Sequence, residues 1–217
     1  MQLSHEEARV IGSLIEKQLT TPDQYPLSLN ALLLACNQSS NRDPVVAFDE
    51  GTVDRALAAL KLAGLLRLVY PSHGRSVTRY QQLLGEQLAI SERQAALVAL
   101  LLLRGPQTGG ELRSRSARMC EFDDIAEVEA ELERLSGLPE PVVARLPRRP
   151  GQKEERWAQL LTDSSTGLLG QAADDVPSGG ATPTLASEVA ELRVEVAELR
   201  DKVAKLCDDV ETLKGRS

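Results

Sequence analysis

Arginines are the side chains of this sequence best suited to chemistry, and many of them fall in two predicted hairpins. Residues 65–80 contain three arginines and no acidic side chain, and residues 142–157 contain five basic and two acidic side chains. Such cations bind phosphate oxygens and position a protein on nucleic acid without reading its sequence. Arginines on solvated hairpins have a second explanation, because charged side chains prevent pairing between exposed strand edges. The candidate phosphate-binding residues, three of them around a short helix between the hairpins, are Arg67, Arg75, Arg79, Arg113, Arg115, Arg118, Arg145, Arg148, Arg149 and Lys153.

A polar stretch after the second predicted helix forms another candidate group. It contains Asn37, Gln38, Asn41 and Arg42. Amide side chains can pair with adenine or with backbone groups of a nucleic acid. The same side chains can instead end a helix and satisfy the backbone of a buried loop.

Residues suited to catalysis are scarce. His5 lies in a predicted helix cap and His73 on a hairpin turn, and neither has a serine or cysteine nucleophile at a recognisable motif spacing. The glycine-rich segment 105–110 lacks the Gly-Lys-Ser/Thr sequence that would hold phosphates and magnesium. We therefore expect neither an enzyme nor a cofactor.

Composition narrows the classes of function further. The 217 residues include 32 acidic and 25 basic side chains, a net charge of −7, and this balance argues against a general polyanion binder. Aromatic residues make up 3%, too few for a base-stacking platform. Three widely spaced cysteines (Cys36, Cys120 and Cys207) indicate neither a disulfide framework nor a metal site. The longest apolar run has nine residues, whereas a membrane span needs about 20. We expect a cytoplasmic protein that does not enter a membrane.

The elements that must position these residues follow the same order twice. Capping boxes, in which a serine or threonine and the residue three positions later bond each other's backbone, begin helices at Ser4, Ser91 and Thr108. Phe48-Asp49-Glu50 matches Phe122-Asp123-Asp124, and RYQQLL from residue 79 matches RWAQLL from residue 156. The sequence pattern of each copy predicts three helices followed by a hairpin, which is the winged-helix arrangement. We predict a mainly helical α+β protein with tandem winged-helix domains at residues 1–86 and 87–163.

A different composition follows the second copy. Residues 164–184 are rich in Ser, Gly, Ala, Asp and Pro without periodicity and predict a flexible linker. Residues 185–217 carry valine at four successive a positions and leucine at four successive d positions of a heptad, a pattern that favours a parallel two-stranded coiled coil and a homodimer. A helix that docks back on its own domains would need a wider apolar face. The predicted dimer contacts are Val189, Leu192, Val196, Leu199, Val203, Leu206, Val210 and Leu213.

The third predicted helix of the second copy argues against the usual mode of DNA binding. In most helix-turn-helix proteins this helix enters the major groove. Here six carboxylates between residues 123 and 133 face one nearby basic side chain, Arg134, so phosphates would be repelled. The third helix of the first copy is nearly neutral and has no basic face.

Three long segments carry a resemblance to a known family. They are EEARVIGSLIEKQLTTPDQYPLSLN from residue 6, ACNQSSNRDP from residue 35, and LLLRGPQTGGELRSRSARM from residue 101 with Glu-Phe following Cys120. Over about residues 1–163 the chain resembles the bacterial YceH-like family. The resemblance implies two winged helices and a cytoplasmic protein, and it implies no activity. Cys120 departs from the family, where a larger side chain, often tyrosine, is expected.

Two hypotheses about function follow. The first is a non-enzymatic homodimer that acts as a regulator or interaction scaffold and contacts double-stranded DNA, if at all, through its basic hairpins. The second is a pure protein-binding adaptor without affinity for nucleic acid, resembling the winged-helix partners of chromosome-condensing complexes. A third class, a sensor of a small ligand between the two domains, has no support in the sequence beyond the two-domain cleft.

Overall fold

The computed structural model describes residues 1–70, 77–148 and 154–162. They belong to one compact unit, Met1–Asp175, whereas the second unit, Val176–Ser217, lies outside the described residues. The predicted coiled coil and the whole of the predicted linker therefore lie outside the described residues too. The described part is α+β and mainly helical, with two small antiparallel sheets, as the sequence predicts.

The first half of this unit, residues 1–86, places three helices before a hairpin. Its main elements are α1 (His5–Thr20), β1 (Leu27–Ser28), α2 (Leu29–Cys36), α3 (Glu50–Leu62), β2 (Leu66–Val69) and β3 (Arg79–Gln82). The three strands form an antiparallel sheet in the order β1-β3-β2. A short helix, α4 (Leu84–Leu88), leads into the second half.

The second half, residues 87–162, follows the same order. Its elements are α5 (Glu92–Arg104), α6 (Gly109–Ser116), α7 (Ile125–Ser136), β4 (Val143–Leu146) and β5 (Arg156–Gln159), with β4 and β5 antiparallel. An isolated bridge between Gln107 and Trp157 occupies the place that the Leu27–Tyr80 pair of β1 and β3 has in the first half.

The helix caps repeat as well. Each half begins its first helix with a serine in a full capping box, its second with a serine or threonine, and its third with an aspartate. In every case the side-chain oxygen accepts a hydrogen bond from the backbone N–H three residues later, which satisfies a donor that the helix itself cannot pair. The six cap residues are Ser4, Ser28, Asp49, Ser91, Thr108 and Asp124.

Two helices form the centre of the unit. Every residue from Ala8 to Glu16 in α1 is buried, and so is every residue from Ala95 to Leu103 in α5. Burial around the whole circumference marks a core helix rather than a surface one. These two helices also make the most extensive contact of any pair of elements in the described residues. The two halves therefore share one core.

Some features differ from the sequence-based expectation. The pattern did not predict α4, which has no side-chain cap at its start and ends at Ala89 in a left-handed conformation (φ +51°). Ile125, the first residue of α7, is exposed although its side chain is apolar. Of the described helices, none is long and apolar enough to cross a membrane.

Gly12 allows the two central helices to approach closely. A Cβ atom at this position would lie 2.9 Å from Cγ of Leu103 and 3.3 Å from Cβ of Leu102. Neither atom is the flexible end of a side chain, so a larger residue would force the helices apart.

We predict that Gly12→Val lowers the free energy of unfolding by about 1–3 kcal/mol, because it overpacks the contact between α1 and α5. Urea denaturation of the full chain measures this change. Gly51→Val is the matched control, since a Cβ there meets only side-chain atoms at 3.5 Å or more, and its effect should stay below about 1 kcal/mol. Equal losses in the two variants would contradict the close approach.

Candidate functional site

The two described arginines of the first hairpin have different roles. Arg79 donates from Nη1 to the carbonyl oxygen of Pro26 at 2.8 Å and so fixes the segment before β1. Arg67 is exposed and lies 3.8 Å from the carboxylate of Glu86, beyond hydrogen-bonding distance. Arg75 lies outside the described residues. Arg67 is thus the described cation of this hairpin that remains open to a ligand.

The second hairpin uses its first arginine to hold the third helix. Arg145 forms ion pairs with Glu129 at 3.0 Å and Glu133 on α7, and with Glu155 at 2.9 Å on the other side of the hairpin. Its guanidinium also lies 4.8 Å from the ring centre of Trp157, whose indole N–H donates to Glu129 at 3.0 Å. The hydrogen bond from Arg145 to Glu155, together with the carboxylates of α7, raises the pKa of Arg145.

The remaining cations of the second hairpin are less constrained. Arg148 is exposed and makes no hydrogen bond or ion pair within the described residues. Arg149 and Lys153 lie outside the described residues.

Further ion pairs reduce the repulsion expected from α7. Glu127 pairs with Arg93 at 2.6 Å, and Glu131 pairs with Arg134 and also accepts from Gln94. The hydrogen bond that Glu127 accepts from the backbone of Asp123, and then that from Arg93, lowers the pKa of the Glu127 carboxyl. Four carboxylates of α7 are therefore bound within the protein.

The three arginines at the end of α6 are not equivalent. Arg113 donates to the carbonyl oxygens of Phe122 and Asp123 and shapes the turn into α7. Arg115 donates to Gln107 at 2.7 Å and to Glu111 at 3.2 Å. Arg118 has a side chain 65% exposed, and its guanidinium lies 3.8 Å from the carboxylate of Glu16.

The amide residues after α2 order the long loop that follows. Asn37 donates from its side chain to the carbonyl oxygen of Phe48 and accepts from the backbone N–H of Phe48, both at 2.8 Å. Asn41 has a left-handed backbone (φ +58°), and its side-chain oxygen accepts from Arg104 of α5 at 2.9 Å. Gln38 accepts from Lys17 and Arg42. The geometry of these side chains matches the loop-anchoring alternative.

Arg42 forms the centre of this loop. Its side chain is fully buried and donates to Glu16 at 2.7 Å and to the carbonyl oxygens of Ala35 and Asn41. Burial alone would raise the pKa of the Glu16 carboxyl, but the hydrogen bond and charge of Arg42 outweigh it and hold that pKa below its usual value. The pair therefore remains ionised inside the core.

Sequence reasoning missed three buried polar residues of α1. Arg9, Ser13 and Glu16 are buried, whereas the second copy has Ala96, Leu100 and Leu103 at the same distances from its capping serine. Arg9 donates to the carbonyl oxygen of Pro44 at 2.6 Å. An alignment of the two copies would have shown that these three positions are polar in the first copy and apolar in the second.

Other chemical groups in the described residues do not form a site. Burial raises the pKa of Cys36 to about 11, so this thiol stays protonated. Cys120 is half-buried and packs against the core in the place where the family resemblance implied a larger side chain. Across residues 1–70, 77–148 and 154–162, no cluster of His, Cys, Asp and Glu could hold a metal ion.

Comparison with known proteins identifies bacterial proteins that are similar to this chain. Residues 3–152 match the family described as "Protein of unknown function, DUF480". A UPF0502 protein of Solibacter usitatus is 46% identical, over 88% of this chain and 93% of its own length. One from Klebsiella pneumoniae is 47% identical over the same shares, and one from Geobacter sulfurreducens is 51% identical over 73% of this chain and 72% of its own.

We predict that Arg42→Met lowers the free energy of unfolding by about 3–5 kcal/mol, because it leaves the buried Glu16 carboxylate without its partner. Adding Glu16→Gln should recover part of this loss. Urea denaturation near pH 7 measures both variants.

Arg134→Met is the control, since it removes an exposed ion pair and should cost less than about 1 kcal/mol. If Arg42→Met costs no more than this control, the buried pair does not hold the loop.

Proposed function

The chain belongs to the DUF480 family, and on that premise we propose that it is a non-enzymatic tandem winged-helix protein that acts as a regulator or interaction scaffold. In support, each half runs through three helices into an antiparallel hairpin, and a short strand or bridge joins that hairpin from between its first two helices. This is the order of elements in winged-helix domains. We further propose a cytoplasmic homodimer.

Within this proposal, contact with double-stranded DNA is limited to the phosphate backbone and is made by the hairpins. Arg67 and Arg148 are the exposed cations that support it in the described residues. Because they lie on hairpins and not on a helix that could enter the major groove, they would position the protein without selecting a sequence.

The observation that carries the proposal is the chemistry of the third helices. The exposed positions of α7 include Ile125, Ala126 and Ala130, and those of α3 include Ala58 and Leu62. Base edges are read mainly by Arg, Lys, Asn and Gln side chains. The exposed Arg55 and Lys61 of α3 lie in a helix that also exposes Glu50 and Asp54. These faces suit packing against a protein better than reading DNA.

The same faces support the alternative of a pure protein-binding adaptor. Leu62 at the end of α3 is 91% exposed, and Tyr70 after β2 and Val77 before β3 each have more than half of their surface in water. Single exposed apolar residues are common, but interfaces are enriched in aromatic and large apolar side chains. A partner that remains bound after nuclease treatment of a lysate would favour this alternative over DNA contact.

The proposed homodimer rests on the heptad residues of 185–217, which lie outside the described residues. In such a dimer, four winged-helix domains would be held together. Two weakly binding units on one dimer bind a long ligand more tightly than either unit alone.

We predict that the full chain binds a random DNA duplex at about 50 mM salt and loses about tenfold or more in affinity at about 200 mM, as expected for two or three phosphate contacts. Fluorescence anisotropy measures the dissociation constant. The double variant Arg67→Glu, Arg148→Glu should weaken binding at least as much, whereas the control Arg134→Glu on α7 should leave it within about twofold. Absence of binding at low salt, or indifference to the hairpin variant, would remove the DNA part of the proposal.

We predict from light scattering that the full chain has the mass of a dimer. The variant Leu199→Lys, Leu206→Lys places charges in the d positions of the heptad and should give the mass of a monomer. The control Ala197→Lys, Ala204→Lys places the same charges on the outer face of the helix and should remain dimeric. A monomeric wild-type chain would refute the coiled coil, and a dimeric d-position variant would show that another surface pairs the chains.

A further inference from the structure

Basic side chains from both halves meet where the long loop of the first half contacts the helix ends of the second. The backbone N–H of Asp43 donates to the carbonyl oxygen of Leu103 at 2.9 Å and docks the loop on the end of α5. We call the six basic side chains of this region the junction cluster: Arg9, Lys17, Arg42, Arg104, Arg115 and Arg118.

A continuous series of contacts joins four members of the junction cluster, Arg104, Arg42, Lys17 and Arg118. Arg104 donates to the side chain of Asn41 at 2.9 Å, and the carbonyl oxygen of Asn41 accepts from Arg42 at 2.9 Å. Arg42 then donates to Glu16 at 2.7 Å, and Glu16 lies 3.6 Å from Lys17 and 3.8 Å from Arg118. This series runs from Arg104, which is half-buried, to Arg118, whose side chain is mainly exposed.

The junction cluster contains more positive charge than the surrounding protein neutralises. Three carboxylates interact with its six cations: Glu16, Asp43 and Glu111. Glu16 is shared by three of the cations, and Glu111 is shared by Arg115 and by Arg156 at 3.3 Å. Arg104 hydrogen-bonds only to the neutral amide of Asn41 within the described residues.

Like charges at this site are close enough to disturb one another. Burial, followed by the charge of neighbouring Arg115, lowers the pKa of Arg104. Burial, followed by the charge of Arg42, also lowers the pKa of Arg9, and two nitrogens of Arg9 have no hydrogen-bond partner in the described part of the chain. A bound anion beside Arg104 would offset the positive charge of Arg115.

Helix dipoles explain part of this arrangement. Lys17, Arg104 and Arg115 lie in the last turns of α1, α5 and α6, where a cation is stabilised by the negative end of a helix. The dipole effect accounts for each residue separately. It does not explain why these cations lie close to Arg118 and the buried Arg42 and share three carboxylates with them.

We propose that the junction cluster binds a phosphate group, with Arg104 and Arg118 as its direct donors and Lys17 beside them. Guanidinium groups present paired N–H donors that match the oxygens of a phosphate. The buried Arg42–Glu16 pair positions Arg118 and fixes the loop that holds Arg104. The phosphate comes either from free inorganic phosphate or from the backbone of a nucleic acid. Because its donors lie on a helix end and in loops and not on the two hairpins, the site goes beyond the proposed hairpin contact.

Two probes applied to the full chain test this proposal. Inorganic phosphate is titrated by calorimetry at constant ionic strength, and a random DNA duplex is titrated by anisotropy. We expect Arg104→Gln and Arg118→Gln each to raise the dissociation constant of at least one probe about tenfold, the loss typical of one charge-assisted hydrogen bond. Arg134→Gln, an exposed arginine on α7, is the matched control and should change neither constant by more than about twofold.

The outcomes separate the two sources of phosphate and separate this site from the hairpins. Arginine-dependent binding of inorganic phosphate alone identifies a free anion, and arginine-dependent binding of the duplex identifies the backbone. Arg118→Gln keeps the test valid if Arg104→Gln unfolds the chain, because Arg118 is mainly exposed. If neither probe binds, or if both variants bind like Arg134→Gln, the proposal is wrong. The hairpin variant Arg67→Glu, Arg148→Glu should leave phosphate binding unchanged, so either proposal can fail without the other.

Discussion

The contact between α1 and α5 at Gly12 is the constraint on which the described structure depends. Each helix is the first of its half, begins at a serine capping box, and is buried for nine consecutive residues. Neither helix could be buried on all sides within one half alone, because three helices and a hairpin leave one side uncovered. The two copies complete each other's core, and the absence of a side chain at Gly12 allows the approach that this requires.

The two halves of the protein differ from each other mainly in one region. The segment between α2 and α3 is longer than the one between α6 and α7, and the buried residues Arg9 and Glu16 of α1 contact it. Burying a charge is unfavourable unless a partner and hydrogen bonds compensate for it. Arg42 supplies that compensation for Glu16, and the loop carbonyl oxygens of Asn41 and Pro44 accept hydrogen bonds from Arg42 and Arg9. The additional loop residues and the buried charges of α1 therefore form one structural unit.

Local signals in the sequence predicted the order of elements well. The capping boxes at Ser4, Ser91 and Thr108 marked where three helices begin, since a cap is a contact between residues three apart. Contacts between distant residues could not be predicted in this way. The binding of Arg145 to α7 and of Arg42 to Glu16 depends on which elements pack together, and charge counted along the chain does not contain that information. The sequence pattern did not predict α4, because this helix lacks a side-chain cap and is too short for a clear periodicity.

Packing of both halves around shared central helices also fixes the distance between their hairpins. Domains joined only by a flexible linker must lose orientational freedom when both engage one partner, and that loss weakens binding. Here the loop contacts of Asn41 and Asp43 with α5 add to the contact of α1 with α5, so this freedom is already lost in the free protein. The two hairpins would therefore contact a partner at a fixed spacing. A partner whose contact points have the same spacing would be favoured over a partner that matches only one hairpin.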